Sequence, residues 1–235
     1  MGEDYSRALA QLASYGRLGV GNAGGNGTEG SWNITNQWDD NMIARYREFA
    51  PRQAEMYKES GKKFTCEDLA LQVLIDFASQ NELPLKLTTI GGTVFDASDS
   101  KWNGDIMSFR DAVLSNFATK DLQVKDNTIG LSLDYLQSGD LMIQVNENGR
   151  GHHTQLIMGK NENYIFIIQG DASRKNGLSK NPSSFFGYIG GNVTFGMFSI
   201  IDGSYLNISY LTQKPSGFIN EFQGRSWNYF NFNKR

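Results

Sequence analysis

The 235-residue chain contains one cysteine, Cys66, and two histidines, His152 and His153. A lone thiol cannot close an intramolecular disulfide, and a zinc site built on several cysteines is excluded. Long apolar runs are missing too, so no membrane span is expected. Positive charge is in short supply: 22 Lys and Arg face 25 Asp and Glu, for a net charge of -3. Nucleic-acid binding needs a clustered basic face, and none is visible, so no nucleic-acid partner is expected. The opening MGEDYSRALAQLASYG lacks the basic-then-apolar order of a signal peptide. The chain reads as soluble, and export would require a specialised secretion route or an upstream portion. No cofactor and no metal are expected.

Glycine is concentrated in one place. Tyr5, Leu9 and Leu12 share a helical face over residues 3–14, and then GRLGVGNAGGNGTEG fills residues 16–30. Such a stretch has little to bury and a large entropy to lose on ordering. This divides the chain into an N-terminal helix and glycine-rich arm, 1–35, and a main domain, 36–235.

Within the domain the first half is helical in pattern. Residues 39–59 are amphipathic, and Pro51 implies either two short helices or a kinked one. Residues 65–81 give the strongest helix. Thr65 can cap it, Glu67 and Asp68 place negative charge in its first turn, and Leu69 to Ala78 are apolar nearly all round. A helix of that kind is central and buried. Pro84 stops it and LPLKLTT is a strand candidate. Another helix is predicted near 105–117. From residue 129 the runs DLMIQV, HTQLIM, YIFIIQ, NVTFGMFSII and SYLNISYL predict neighbouring strands. Helices followed by consecutive strands predict an α+β fold, with an antiparallel sheet packed on the central helix that carries the cysteine.

Cys66 opens that helix, where backbone N–H groups and the helix dipole favour a thiolate and can face a developing oxyanion. Both histidines stand at the start of one strand. A cysteine at a helix start and a distant histidine at a strand start are the parts of a Cys–His nucleophile pair. The imidazole needs an orienting partner. A hairpin turn centred near Asn161 sets Gln169 opposite His153, with Asp171 one alternation further on the same face. Gln169 is the first choice as orienter and Asp171 the second. The plain reading remains that Cys66 is a small buried side chain and the histidines an exposed pair.

Two segments carry a resemblance. Cys66-Glu67-Asp68-Leu69-Ala70, with the apolar helix and Leu83-Pro84-Leu85-Lys86-Leu87, resembles bacterial transglutaminase-like cysteine proteins. Leu136-Gln137-Ser138-Gly139-Asp140-Leu141 followed by His153-Thr154-Gln155-Leu156-Ile157-Met158-Gly159 resembles NlpC-type and CHAP-type amidases. In those a Gly-Asp-Leu turn opens one strand and a His six residues before a glycine opens the next. That spacing selects His153 over His152. Both families belong to the papain-like superfamily, so the resemblance implies a papain-like fold with Cys66, His153 and Gln169 or Asp171 as its catalytic set. The chain departs from both patterns: Gln155 stands where the transglutaminases have an aromatic residue, and small residues do not follow Cys66.

The aromatic and asparagine-rich end, Gly224 to Asn233, is similar to the tails of Rhs-type polymorphic toxins. It reads equally as a closing strand. The resemblances together imply a bacterial cysteine hydrolase effector, delivered into a target cell, that attacks amide bonds of peptidoglycan peptides. A glutamine deamidase, transglutaminase or protease acting on proteins, and a catalytically inactive papain-like binding module, are the alternatives. A toxin of this kind implies a cognate immunity protein as partner.

Overall fold

A computed structural model describes residues 31–171, 173–174 and 188–234. The helix expected over 3–14 and the glycine-rich arm lie outside the described residues.

Helix α1 spans Asp40–Glu59. Asp39 caps it by accepting from the Met42 N–H at 2.7 Å. The helix runs through Pro51, so the proline neither divides nor ends it; its ring is buried. Helix α2 spans Cys66–Gln80, and the Thr65 hydroxyl accepts from the Asp68 N–H at 3.3 Å. Leu69, Leu71, Leu74, Ile75 and Phe77 are all buried, which is the consequence of apolar side chains around its whole circumference. The one carboxylate this burial includes is compensated: Asp76 accepts from Gln53 at 3.0 Å, from Gln72 at 2.7 Å and from the Tyr57 hydroxyl. Helix α3 follows at Ile106–Asn116. None of these helices is long and apolar enough to cross a membrane.

Strand β1, Lys86–Thr88, forms as expected after Pro84, but it pairs only with β2, Val94–Asp96, outside the main sheet. Among the described residues the main sheet has eight strands: β3 (Thr128–Leu131), β4 (Leu141–Val145), β5 (Gly151–Lys160), β6 (Tyr164–Gly170), β9 (Val193–Ser199), β10 (Tyr205–Asn207), β11 (Thr212–Lys214) and β12 (Phe222–Trp227). Between β6 and β9 lies the small β7–β8 pair, Ser173–Arg174 with Tyr188–Ile189. The spatial order is β11-β10-β9-β6-β5-β4-β12-β3, antiparallel at every pairing. The fold is α+β, with helices in the first half and an antiparallel sheet in the second.

The sheet has two apolar faces. On one, Leu141, Ile143, Leu156, Met158, Phe166 and Ile168 join the side chains of α1, α2 and α3 in a single core. On the other, Met142, Ile157, Ile165, Ile167, Phe198, Tyr205 and Phe222 form a second core, against which Leu133, Phe218 and Ile219 of two 3-10 turns pack. Phe198 on β9 and Phe222 on β12 have ring centroids 4.8 Å apart, although β6, β5 and β4 run between those strands. At about 4.8 Å per strand a flat sheet would hold them roughly 19 Å apart. The sheet therefore curls until its far strands meet, and the second core is the inside of that curl.

The tail is part of this architecture. β12 lies between β4 and β3, and Trp227 donates to the Tyr46 hydroxyl at 3.0 Å. Helix α4, Tyr229–Phe232, follows, and Asn233 exchanges two hydrogen bonds, both 2.8 Å, with the Trp38 backbone. The core also reaches back to Trp32, which is 4% exposed and packs edge-on against Phe109.

Candidate active site

One close backbone approach brings the first turn of α2 to the sheet, and a glycine on β5 makes room for the turn that meets it. A Cβ at Gly170 would sit 2.4 Å from the Thr65 carbonyl oxygen and 2.7 Å from that of Phe64. Glycine there lets β6 touch the helix cap. A Cβ at Gly151 would meet Ile143 at 2.7 Å and Thr119 at 3.0 Å. Glycine there admits the 3-10 turn Thr119–Gln123 against β5.

Cys66 is buried and is a free thiol. Its Sγ donates to Glu67 Oε2 at 3.0 Å and lies 3.5 Å from the Thr119 hydroxyl. The main-chain amide of Thr154 also faces the sulfur. Burial pushes the thiol well above its usual range, and the Glu67 carboxylate pushes it further; Thr119 and Thr154 oppose this. A helix start alone predicts a depressed thiol, but burial and an adjacent carboxylate outweigh it here.

His153, Gln169 and Asp171 are brought together. His153 Nε2 is 2.9 Å from Gln169 Oε1, and Gln169 Nε2 donates to Asp171 Oδ1 at 3.0 Å. Gln155 Nε2 adds a second donor to Gln169 Oε1 at 2.7 Å. The direction of this chain is forced. A carboxylate only accepts, so Asp171 turns the amide nitrogen of Gln169 toward itself and the amide oxygen toward His153. An oxygen can only accept, so Nε2 carries the proton and Nδ1 keeps the free lone pair. Burial lowers the imidazole, opposed by Gln169 and by the charges of Asp171 and Glu67. Both shifts favour the neutral forms of the thiol and the imidazole.

The hairpin register differs from the sequence expectation. Leu156 pairs with Ile168, and a bulge at Met158–Gly159 absorbs an extra residue before the turn. Continued outward, this register sets Gln169 opposite Gln155, and His153 reaches Gln169 diagonally. The offset is two residues, which keeps the side-chain face, so the contact survives the shift. His152 and His153 do not simply alternate. Gln144 pairs with His153 and Val145 with Gly151, which leaves His152 as the extra, exposed residue of a second bulge.

Cys66 and His153 are not hydrogen-bonded to each other: among the described residues the thiol meets Glu67, Thr119 and the Thr154 amide, and the imidazole's partner is Gln169. Alternation explains this. Thr154, Leu156 and Met158 turn toward α2, while His153 and Gln155 alternate with Ile157 on the inside of the curl. The Glu67 charge still reaches the imidazole at the end of the strand.

Thr119, Thr154 and Gln155 are the site residues that sequence reasoning missed, and Glu67 entered it only as first-turn charge. Gln155 had a signal, a lone amide in the apolar run HTQLIM. Thr119 had none, being 53 residues from Cys66 in a 3-10 turn. Asp140, the acid of the Gly-Asp-Leu turn, is structural: it accepts from the Gln137 N–H at 2.9 Å and the Ser226 hydroxyl at 2.6 Å. No group of three or more His, Cys, Asp and Glu side chains among the described residues could hold a metal ion. No known protein family, curated protein or solved structure matches the chain.

Proposed function

We propose that this chain is a cysteine-dependent hydrolase of papain-like arrangement that attacks amide bonds, with peptidoglycan peptides as its substrate class. One observation carries the reading. The only thiol stands at the start of a buried helix against Thr154, and the neighbouring residue in the strand, His153, has one ring nitrogen held by Gln169 and the other free. In the reaction the thiol passes its proton to His153 Nδ1 as the thiolate adds to the amide carbon. The resulting oxyanion is stabilised at the N-terminus of α2, by the dipole and the N–H groups that open the helix. Collapse breaks the C–N bond, the leaving amine takes the proton from the imidazolium, and water then hydrolyses the thioester with His153 as base. Catalytic hydrogen bonds are commonly long in a protein without substrate, and this reading requires thiol and imidazole to close on each other when substrate binds. A delivered antibacterial effector with an immunity partner is the role that accompanies this chemistry, by the resemblance of the tail.

A second reading rests on the Glu67 contact. A thiol whose proton is held by a carboxylate suits a papain-like domain that binds a partner without turnover. Parent protein and Cys66→Ala are incubated with purified peptidoglycan and, separately, with protein extract. Cys66-dependent release of stem peptides supports the proposal. Cys66-dependent ammonia release or crosslinking in the extract moves the substrate to protein glutamine. No Cys66-dependent product in either leaves the binding module.

A further inference from the structure

We infer that Glu67 is a guard on the thiol: it holds Cys66 in its protonated, unreactive form, and its carboxylate must leave the sulfur before Cys66 can act as a nucleophile. The inference concerns the regulation of the site proposed above and rests on that reading. It begins with direction. Cys66 Sγ is the donor and Glu67 Oε2 the acceptor at 3.0 Å, a contact that exists only while the sulfur keeps its proton. A thiolate in the same place would face a carboxylate, acceptor against acceptor and charge against charge.

The rest of the sulfur's surroundings have the opposite character. The Thr119 hydroxyl at 3.5 Å and the Thr154 main-chain amide can both donate to a thiolate. Thr154 adds a fully buried hydroxyl with no partner among the described residues, on the strand face that α2 covers. With Glu67 removed, the polar groups known to meet the sulfur are the Thr119 hydroxyl and the Thr154 N–H, both able to donate. Glu67 is half-buried, at the solvent-facing side of the first turn, so a side-chain rotation can carry its carboxylate into water. Other charged groups around the sulfur do not replace it. On its own helix, Asp68 engages Thr65. From β5 and the end of β6 come His153 and Asp171, tied to each other through Gln169. On the 3-10 turn, the Asp121 carboxylate is turned onto the backbone N–H groups of Ile90 and Ala118.

Because the chain has one cysteine, alkylation by iodoacetamide reports Cys66 alone. Rates are measured against pH for the parent, Glu67→Gln and Glu67→Ala, with circular dichroism confirming the fold. Both variants should react at least about tenfold faster than the parent at pH 7, the equivalent of one unit in the thiol's titration, and their pH profiles should move to lower pH. Thr119→Val should move the profile the other way. Parent-like or slower rates in both Glu67 variants overturn the guard. If alkylation accelerates but no amide substrate is turned over, the guard stands and the hydrolase reading fails. If substrate is turned over through Cys66 while both Glu67 variants alkylate like the parent, the reverse holds.

Discussion

Gln169→Leu is the substitution that reads the site's internal wiring, because one amide serves three side chains. Its oxygen takes the His153 and Gln155 donors at 2.9 and 2.7 Å, and its nitrogen serves Asp171 at 3.0 Å. Leucine fills the same space without polar atoms. One N–H of Gln155, the Nε2–H of His153 and an oxygen of Asp171 would lose their partner. An orphaned buried polar group costs about 1–3 kcal/mol. Gln155 is 2% exposed and cannot turn toward water; its Oε1 and Asp171 Oδ2 already lack partners among the described residues. The net loss should therefore be about 2–3 kcal/mol, read as a lower urea midpoint at unchanged slope. Ring ¹⁵N spectra supply a second reading, since only two histidines contribute. The parent His153 should be the Nε2–H tautomer, and in Gln169→Leu that preference should relax. A loss under about 0.5 kcal/mol, the range of an uninvolved surface change, or an Nδ1–H tautomer in the parent would refute the argument.

Cys66→Ala should abolish turnover while costing at most about 1–2 kcal/mol of stability, checked by thermal unfolding alongside an activity assay. His153→Ala should be inactive and His152→Ala near parental in kcat, because His152 projects from a bulge into solvent. Gly170→Ala should destabilise by about 1–3 kcal/mol, since its Cβ meets backbone that no rotamer change can move, while Gly130→Ala, with open space around it, should stay near parental in urea unfolding. Asp68 is raised by burial from 3.8 to about 6, so ionising it costs the folded state. Its contribution is complete below about pH 4 and is lost as the pH rises through 6. Asp68→Asn should therefore gain on the parent across that window and level off above it, by about 1–2 kcal/mol after allowance for its partial exposure; an advantage that shrinks with rising pH contradicts the assignment.

Local physics made much of this protein legible in its sequence. The cap at Thr65 and the apolar circumference of residues 69–78 determine a buried helix that begins at the only thiol. Alternating runs from residue 141 determine strands, and their sequence adjacency determines an antiparallel sheet. Polar residues two apart, His153 with Gln155 and Gln169 with Asp171, share faces because the strand period is two. Tertiary structure decided what depends on long-range packing. Bulges at His152 and at Met158–Gly159 reset the register, and a bulge is the response of a strand to its neighbours. The curl that brings Phe198 to Phe222 creates an inside face, and His153 belongs to it. The partners of the thiol were decided in the same way. Glu67 is adjacent in sequence, but its carboxylate meets the thiol only in the folded arrangement of side chains, and Thr119 arrives from 53 residues away because Gly151 lets its turn approach. Burial, which only the assembled core produces, then reversed the direction in which a helix start would shift the thiol.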